Sequence, residues 1–264
     1  MFIPYFSKRA HGAAAGLPLI LFLLLSTGVS GCVQTHVEMV TDDSRLLERA
    51  NNFYARQRYN QATESYRKVM DEYPDSKYRK VAVIGLADSL YKEGQFDEAN
   101  LYYERFVEMY PLDELTPRAL FYYGMCYMML TSTPDRSQKQ TRLAIQMFDG
   151  FLTRYPDHIL APTAAWNKEQ MEAMLLQSKL DVARFYFNTY KSTAAIDRLK
   201  EYLSNNPKSP DTPEALFMLG ESFRRKQSYR KAAEVFTVLI GDHPNDEWAK
   251  KARESAARLT VKSN

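Results

Sequence analysis

One spacing constrains this 264-residue chain more than any other feature: an alanine followed twelve residues later by a proline. It occurs at Ala62/Pro74, Ala99/Pro111, Ala144/Pro156, Ala195/Pro207 and Ala232/Pro244. Four residues after each alanine stands a large apolar side chain, Tyr66, Tyr103, Phe148, Leu199 or Phe236. Pairs such as Phe106/Val107, Phe151/Leu152 and Leu239/Ile240 follow at seven and eight. That pattern is one apolar face of an α-helix, and the proline ends it because it lacks an N–H and clashes with the preceding turn. Twelve residues before four of these alanines lie Ala50, Ala87, Ala183 and Gly220, each with an aromatic or leucine three residues on (Phe53, Leu90, Tyr186, Phe223). Each unit is therefore two helices, small residues allowing close approach and bulky ones filling the gap.

This arrangement resembles the tetratricopeptide repeat, with the period stretched to 37 residues by a longer link. The expected fold is an all-α tetratricopeptide-repeat solenoid of five helix pairs. No unit buries its apolar face alone, so stacking supplies the core, and the charged segment from Asp246 to Leu259 suits a C-terminal capping helix with Glu254 and Arg258 on its solvated face. Only ten glycines and 45% hydrophobic against 25% charged residues agree with a folded helical body.

Two units depart from the period. The third holds Gly124 and Tyr127 twenty and seventeen residues before Ala144, which places eight extra residues within Thr131–Gln140, where Ser132, Thr133, Pro134 and Asp135 mark a loop. In the fourth, Pro156 to Pro207 spans 51 residues, fourteen above 37. Fourteen residues make almost four helical turns, so the first helix can lengthen with its inward face in phase. A helix from about Pro162 to Asn188 would be roughly 40 Å long at 1.5 Å per residue.

The N-terminus reads as an address. Lys8, Arg9 and His11 precede the apolar stretch Ala13–Leu25, which is shorter than the ~20 residues of a bilayer span and contains Pro18. Val29-Ser30-Gly31-Cys32 follows and resembles the bacterial lipobox. The resemblance implies a signal peptide over 1–31, lipidation of Cys32 and, with Val33 next, export to the outer membrane. Several acyl chains on one cysteine give firm attachment. A polar tether is expected over 32–43. Loss of Lys8 and Arg9 leaves 33 of the 35 basic side chains against 32 acidic ones, a near-neutral balance that gives no sign of nucleic-acid binding.

A lipobox, five tetratricopeptide units, a looped third repeat and an overlong helix opening the fourth together resemble the BamD family, the lipoproteins of the outer-membrane β-barrel assembly machine. The stretches that carry the resemblance are Ala144-Ile145-Gln146-Met147-Phe148 through Tyr155-Pro156, and Leu180 to Tyr190 followed by Ile196-Asp197-Arg198-Leu199. The family implies a periplasm-facing, lipid-anchored subunit that holds BamA and other machine subunits through repeats four and five (162–264). It also implies that repeats one to three (44–161) recognise the aromatic-ended C-terminal strands of unfolded outer-membrane proteins. Arg198 matches the family arginine that meets an acidic partner on BamA. Another envelope scaffold, coordinating peptidoglycan and division or serving polysaccharide export, shares the solenoid.

In this repeat class the first helix of each pair lines the concave wall. For repeats one to three the register gives Leu47, Asn51 and Tyr54; Ile84, Asp88 and Tyr91; Phe121, Met125 and Met128. These suit a varied apolar peptide, and equally suit packing between repeats. The same positions in repeats four and five are Leu180, Arg184, Phe187, Phe217, Glu221 and Arg224, a more charged wall, with Arg184, Arg198 and Arg224 as expected BamA contacts. The cluster Arg224, Arg225, Lys226, Arg230 and Lys231 is a solvated face or a surface for an acidic partner or anionic headgroups. No catalytic residue, metal site or cofactor is expected. His36, His158 and His243 share no helix face, no HExxH, GxSxG, GxGxxG or P-loop occurs, and Cys126 lies in an apolar helix.

Overall fold

A computed structural model describes residues 41–131 and 137–260. The expected signal peptide, Cys32 and most of the tether lie outside them. The described residues form eleven helices: α1 Asp42–Ala55, α2 Tyr59–Glu72, α3 Arg79–Lys92, α4 Phe96–Met109, α5 Thr116–Met129, α6 Lys139–Arg154, α7 Ala161–Asn188, α8 Ser192–Asn205, α9 Thr212–Arg225, α10 Tyr229–Asp242 and α11 Glu247–Thr260. They pack in sequence order as five antiparallel pairs, and α11 closes the end against α9 and α10. Because α1 begins at Asp42, the last two residues of the expected tether are helical.

The five alanines that set the repeat are fully buried, and the bulky residues four positions on, Tyr66, Tyr103, Phe148, Leu199 and Phe236, are at most 3% exposed. The small partners work as the spacing implies. A Cβ on Gly220 would stand 2.4 Å from Phe236, and one on Gly124 would stand 3.0 Å from Phe148. Each proline is the second residue of a link that ends the second helix of a pair. The residue before it (Tyr73, Tyr110, Tyr155, Asn206, His243) takes φ between −130° and −139°, outside the helical range. Pro117, Pro162 and Pro213 then open α5, α7 and α9, where a missing N–H costs nothing.

Within four of the pairs the helices join through three residues in one repeated geometry. The middle residue is left-handed, Gln57, Tyr190 and Gln227 at φ 59° and Gly94 at φ 78°. The residue after it donates its N–H to a carbonyl five positions back, as Arg58 does to Phe53 and Ser228 to Phe223, both at 2.9 Å. This cap satisfies carbonyls that the helix end leaves free. In repeat three α5 and α6 are separated by the longer link 130–138, which contains the expected insertion, and 132–136 lie outside the described residues.

α7 has 28 residues, about 42 Å at the helical rise. The buried apolar side chains form two clusters, one ending at Met171 and the other starting at Leu180, both on this helix. The first half of α7 thus completes the packing of repeats one to three, and the second half opens that of repeats four and five. The change falls inside α7, not at residue 162, because the added turns keep α7 continuous while its inward face passes from α6 to α8.

Candidate binding surfaces

The wall of repeats one to three is built around two tyrosine hydroxyls. Tyr66 donates to Asn51 Oδ1 at 2.7 Å, and Tyr103, fully buried, donates to Asp88 Oδ1 at 2.6 Å. Burial, and then the Asp88 carboxylate, raise the Tyr103 pKa, which holds the hydroxyl as a donor. Asp88 Oδ2 accepts from Arg118 Nη2 at 2.8 Å. Burial works against the Arg118 charge, yet Asp88 keeps its pKa above the ordinary value.

The aromatic part centres on Tyr122, a residue outside the register used above. Its ring meets Tyr91 edge-on at 5.1 Å and Phe121 at 5.4 Å, stacks on Tyr103 at 5.8 Å, and lies 5.1 Å from the Arg118 guanidinium. Aromatic contacts in this range add to plain burial. Arg118, Tyr122 and Met125 are spaced four and three apart on α5, so their shared stripe was readable. The equivalent positions in other repeats hold no constant residue type, so a search for recurrence passes over them.

Seven of the nine expected wall residues keep some exposure: Leu47, Asn51, Tyr54, Asp88, Tyr91, Met125 and Met128. Ile84 and Phe121 are 5% exposed and belong to the core. Phe121 packs against Phe148 and Phe151 of α6, its partner helix, at 6.0 Å each. Tyr54 leans on Tyr59 at 5.4 Å and Tyr91 on Phe96 at 5.3 Å, and both rings stay half-buried. Asn167 Nδ2 lies 3.1 Å from the Met125 sulfur and links α7 to this wall.

The wall of repeats four and five repeats the Asp88–Arg118 pairing with the charges exchanged. Arg184 occupies the position of Asp88, one residue after the small residue, and Glu214 that of Arg118, six before the next one. Arg184 reaches Glu214 with two parallel contacts of 2.9 and 3.0 Å and also pairs with Asp181. Two-pronged guanidinium–carboxylate pairing is geometrically selective. Arg224 is likewise bound to Glu221 at 2.7 Å. Both arginines are thereby committed within the chain, Leu180 is fully buried, and Phe217 lies against Trp248 at 5.2 Å.

Arg198 differs. Its side chain is 54% exposed, with Glu201 3.0 Å away. It stands with Arg142 and Lys179 at a cleft of about 380 Å³ between the start of α6, α7 and α8, floored by Leu175, Ser178 and Tyr202. The cleft opens beside the stretch of α7 where one buried cluster gives way to the next. Three cations against Glu201 suit an acidic side chain from a partner.

Among the described residues no group of His, Cys, Asp and Glu could hold a metal ion. His158 accepts the Leu160 N–H at 3.1 Å and meets the Phe151 ring edge-on at 5.7 Å. Burial pushes the Cys126 thiol up to about 12, which disfavours the reactive thiolate.

The chain is similar to the Caulobacter vibrioides protein named "Outer membrane protein assembly factor BamD", with 25% identity over 241 residues, 87% of this chain and 77% of that protein. A Neisseria meningitidis serogroup B protein of the same name is 23% identical over 248 residues, covering 89% of this chain and 93% of the relative. Among solved structures, the TPR2AB domain of yeast Sti1 in complex with pHSP90 matches with a TM-score of 0.44 and 16% identity over 84% of each chain. The YfiO family, described as outer membrane lipoprotein, matches residues 39–235, from just before α1 into α10. With well over half of its length matched, the chain belongs to the YfiO family of outer membrane lipoproteins.

Proposed function

We propose that this protein is a lipid-anchored subunit of the machinery that assembles outer-membrane β-barrels, acting by binding and not by catalysis. Repeats four and five hold BamA and repeats one to three receive the aromatic-ended C-terminal strands of unfolded barrel proteins. The observation that carries the reading is the alignment with BamD assembly factors over nearly the whole folded body. The wall of repeats one to three supports the second part: the half-open Tyr54 and Tyr91 rings and the Met125 and Met128 thioethers suit apolar side chains of varied shape. On the other half, Arg198 is the cation best placed for a partner carboxylate, since Arg184 and Arg224 are already paired.

Co-purification from membranes tests the first part. Arg198→Glu should reduce recovery of BamA, while the helical signal stays unchanged because the residue is exposed. Undiminished recovery would remove Arg198 from the interface. For the second part, Tyr54→Ala with Tyr91→Ala should weaken binding of a peptide ending in phenylalanine by about tenfold or more, the scale of losing two aromatic contacts. A collapsed helical signal would instead assign both rings to the core. Labelled palmitate should be incorporated by the parent and lost with Cys32→Ser; incorporation that survives the substitution would remove Cys32 as the anchored residue, and none in the parent would sink the lipid anchor.

A further inference from the structure

The turns that join α7 to α8 and α9 to α10 form one surface, and its chemistry is unlike the rest of a chain that is close to neutral. Residues 185–193 and 224–234 carry six cations (Lys191, Arg224, Arg225, Lys226, Arg230 and Lys231) against one acid, Glu234. The two turns are in contact: Lys226 Nζ donates to Thr193 Oγ1 at 2.7 Å, and Arg225 Nη1 donates to the Phe187 carbonyl at 2.6 Å. The Arg225 guanidinium lies 4.0 Å from the Phe187 ring centre and 4.5 Å from that of Tyr190. Beside it Tyr190 is 76% exposed and Phe185 56% exposed.

The cations sit where helix electrostatics disfavours several of them. Lys191 precedes the first residue of α8, and Arg230 and Lys231 occupy the first turn of α10; neither helix has an acidic residue there or a capping side chain. Helix N-termini carry partial positive charge, so cations at these places repel it. Arg224 is neutralised by Glu221 and Arg230 is opposed by Glu234 at 3.1 Å in open solvent, which leaves Lys191, Arg225, Lys226 and Lys231 without an acid on either turn.

We propose that this edge of repeats four and five is a docking surface for an acidic segment of a partner protein that also carries an aromatic or aliphatic side chain. A flat guanidinium held against two rings and bonded to the Phe187 carbonyl is oriented before any ligand arrives, and its remaining N–H groups form a planar fork that fits a carboxylate. Tyr190 and Phe185 supply the apolar contact beside the charges. A membrane surface is read by mobile lysines at long range and needs no such fixed fork. The proposal uses neither Arg198 nor the wall of repeats one to three, so its failure would leave the assembly role standing.

The test uses the full mature lipoprotein in detergent and a fluorescent Asp/Glu-rich peptide bearing one Phe, with an Asn/Gln version of that peptide as control. The acidic peptide should bind with an affinity that falls as salt rises, and the neutral version should bind roughly tenfold or more weakly. Lys226→Glu with Arg230→Glu and Lys231→Glu, all at exposed positions, should lose the peptide by a similar factor with an unchanged helical signal. Arg56→Glu with Lys68→Glu and Lys92→Glu, exposed on other repeats, should bind as the parent does and so control for net charge. Arg225→Lys keeps the charge without the planar fork, and should weaken binding. Equal binding by the triple reversal or of the neutral peptide overturns the proposal. So does binding to phosphatidylglycerol vesicles with none to the peptide.

Discussion

Replacing Gly220 with alanine should destabilise repeat five even though alanine is the better helix former. Gly220 lies in mid-α9, and a Cβ there would stand 2.4 Å from Phe236 Cε1 and 2.7 Å from its Cδ1, closer than carbon atoms can approach. Phe236 is fully buried and cannot swing into solvent. Overpacking of this kind costs ~1–3 kcal/mol, while alanine regains ~0.8–1.0 kcal/mol of helix propensity. Gly150, also helical, has nothing within 4 Å of its built Cβ, so Gly150→Ala collects the propensity gain alone. At ~2–4 °C per kcal/mol for a body of this size, Gly220→Ala should lower the midpoint by about 2–4 °C and Gly150→Ala raise it by a similar amount. Gly124→Ala, with Phe148 at 3.0 Å, should fall between. Thermal melts followed by circular dichroism read the global change. Trp248, 5.2 Å from Phe217, which is itself 6.2 Å from Phe236, reports repeat five by fluorescence. If Gly220→Ala melts as high as Gly150→Ala, close approach is not what the small residue provides.

Gln57 occupies a left-handed conformation at φ 59° that costs a side-chain-bearing residue ~1–2 kcal/mol, so Gln57→Gly should raise the urea midpoint by about 1 kcal/mol of stability; a lower midpoint would refute the strain. Cys126 should resist thiol reagents at pH 8 in the folded protein and react promptly in denaturant, since burial lifts its pKa to about 12; fast native labelling would contradict that burial. Burial pushes the Glu221 carboxyl upward, but hydrogen bonds from Arg224 and from Ser255 on α11, with the charges of Arg224 and Arg225, outweigh it and leave its pKa below the ordinary 4.5. Its ionised form therefore adds stability above pH 4.5, and that stability is lost as pH falls toward the lower folded value. Glu221→Gln should flatten this acid-side loss in Trp248 fluorescence, and an unchanged slope would exclude Glu221 as its source.

The fold was legible because its signals are local. A proline must end a helix, and an alanine with a bulky residue four positions on shares one helix face, so the five pairs, the capping helix and the length of α7 follow from counting. The binding surfaces were legible only as positions. A register says that Asn51, Asp88, Arg184 and Glu221 are equivalent, but not which partners reach them. Only packed neighbours 15 or 30 residues away decide that Asp88 is held by Tyr103 and Arg118, or that Arg184 is taken by Glu214. Phe121 fell into the core for the same reason, since Phe148 and Phe151, 27 and 30 residues on, pack against it. Tyr122 and the ring contacts of Arg225 escaped counting because no other repeat shares them. The sequence by itself determined the helix pairs and their order, which rest on contacts within a few turns. The tertiary structure decided which charges remain free to meet a partner, because ion pairing and burial are set by residues far apart in the chain.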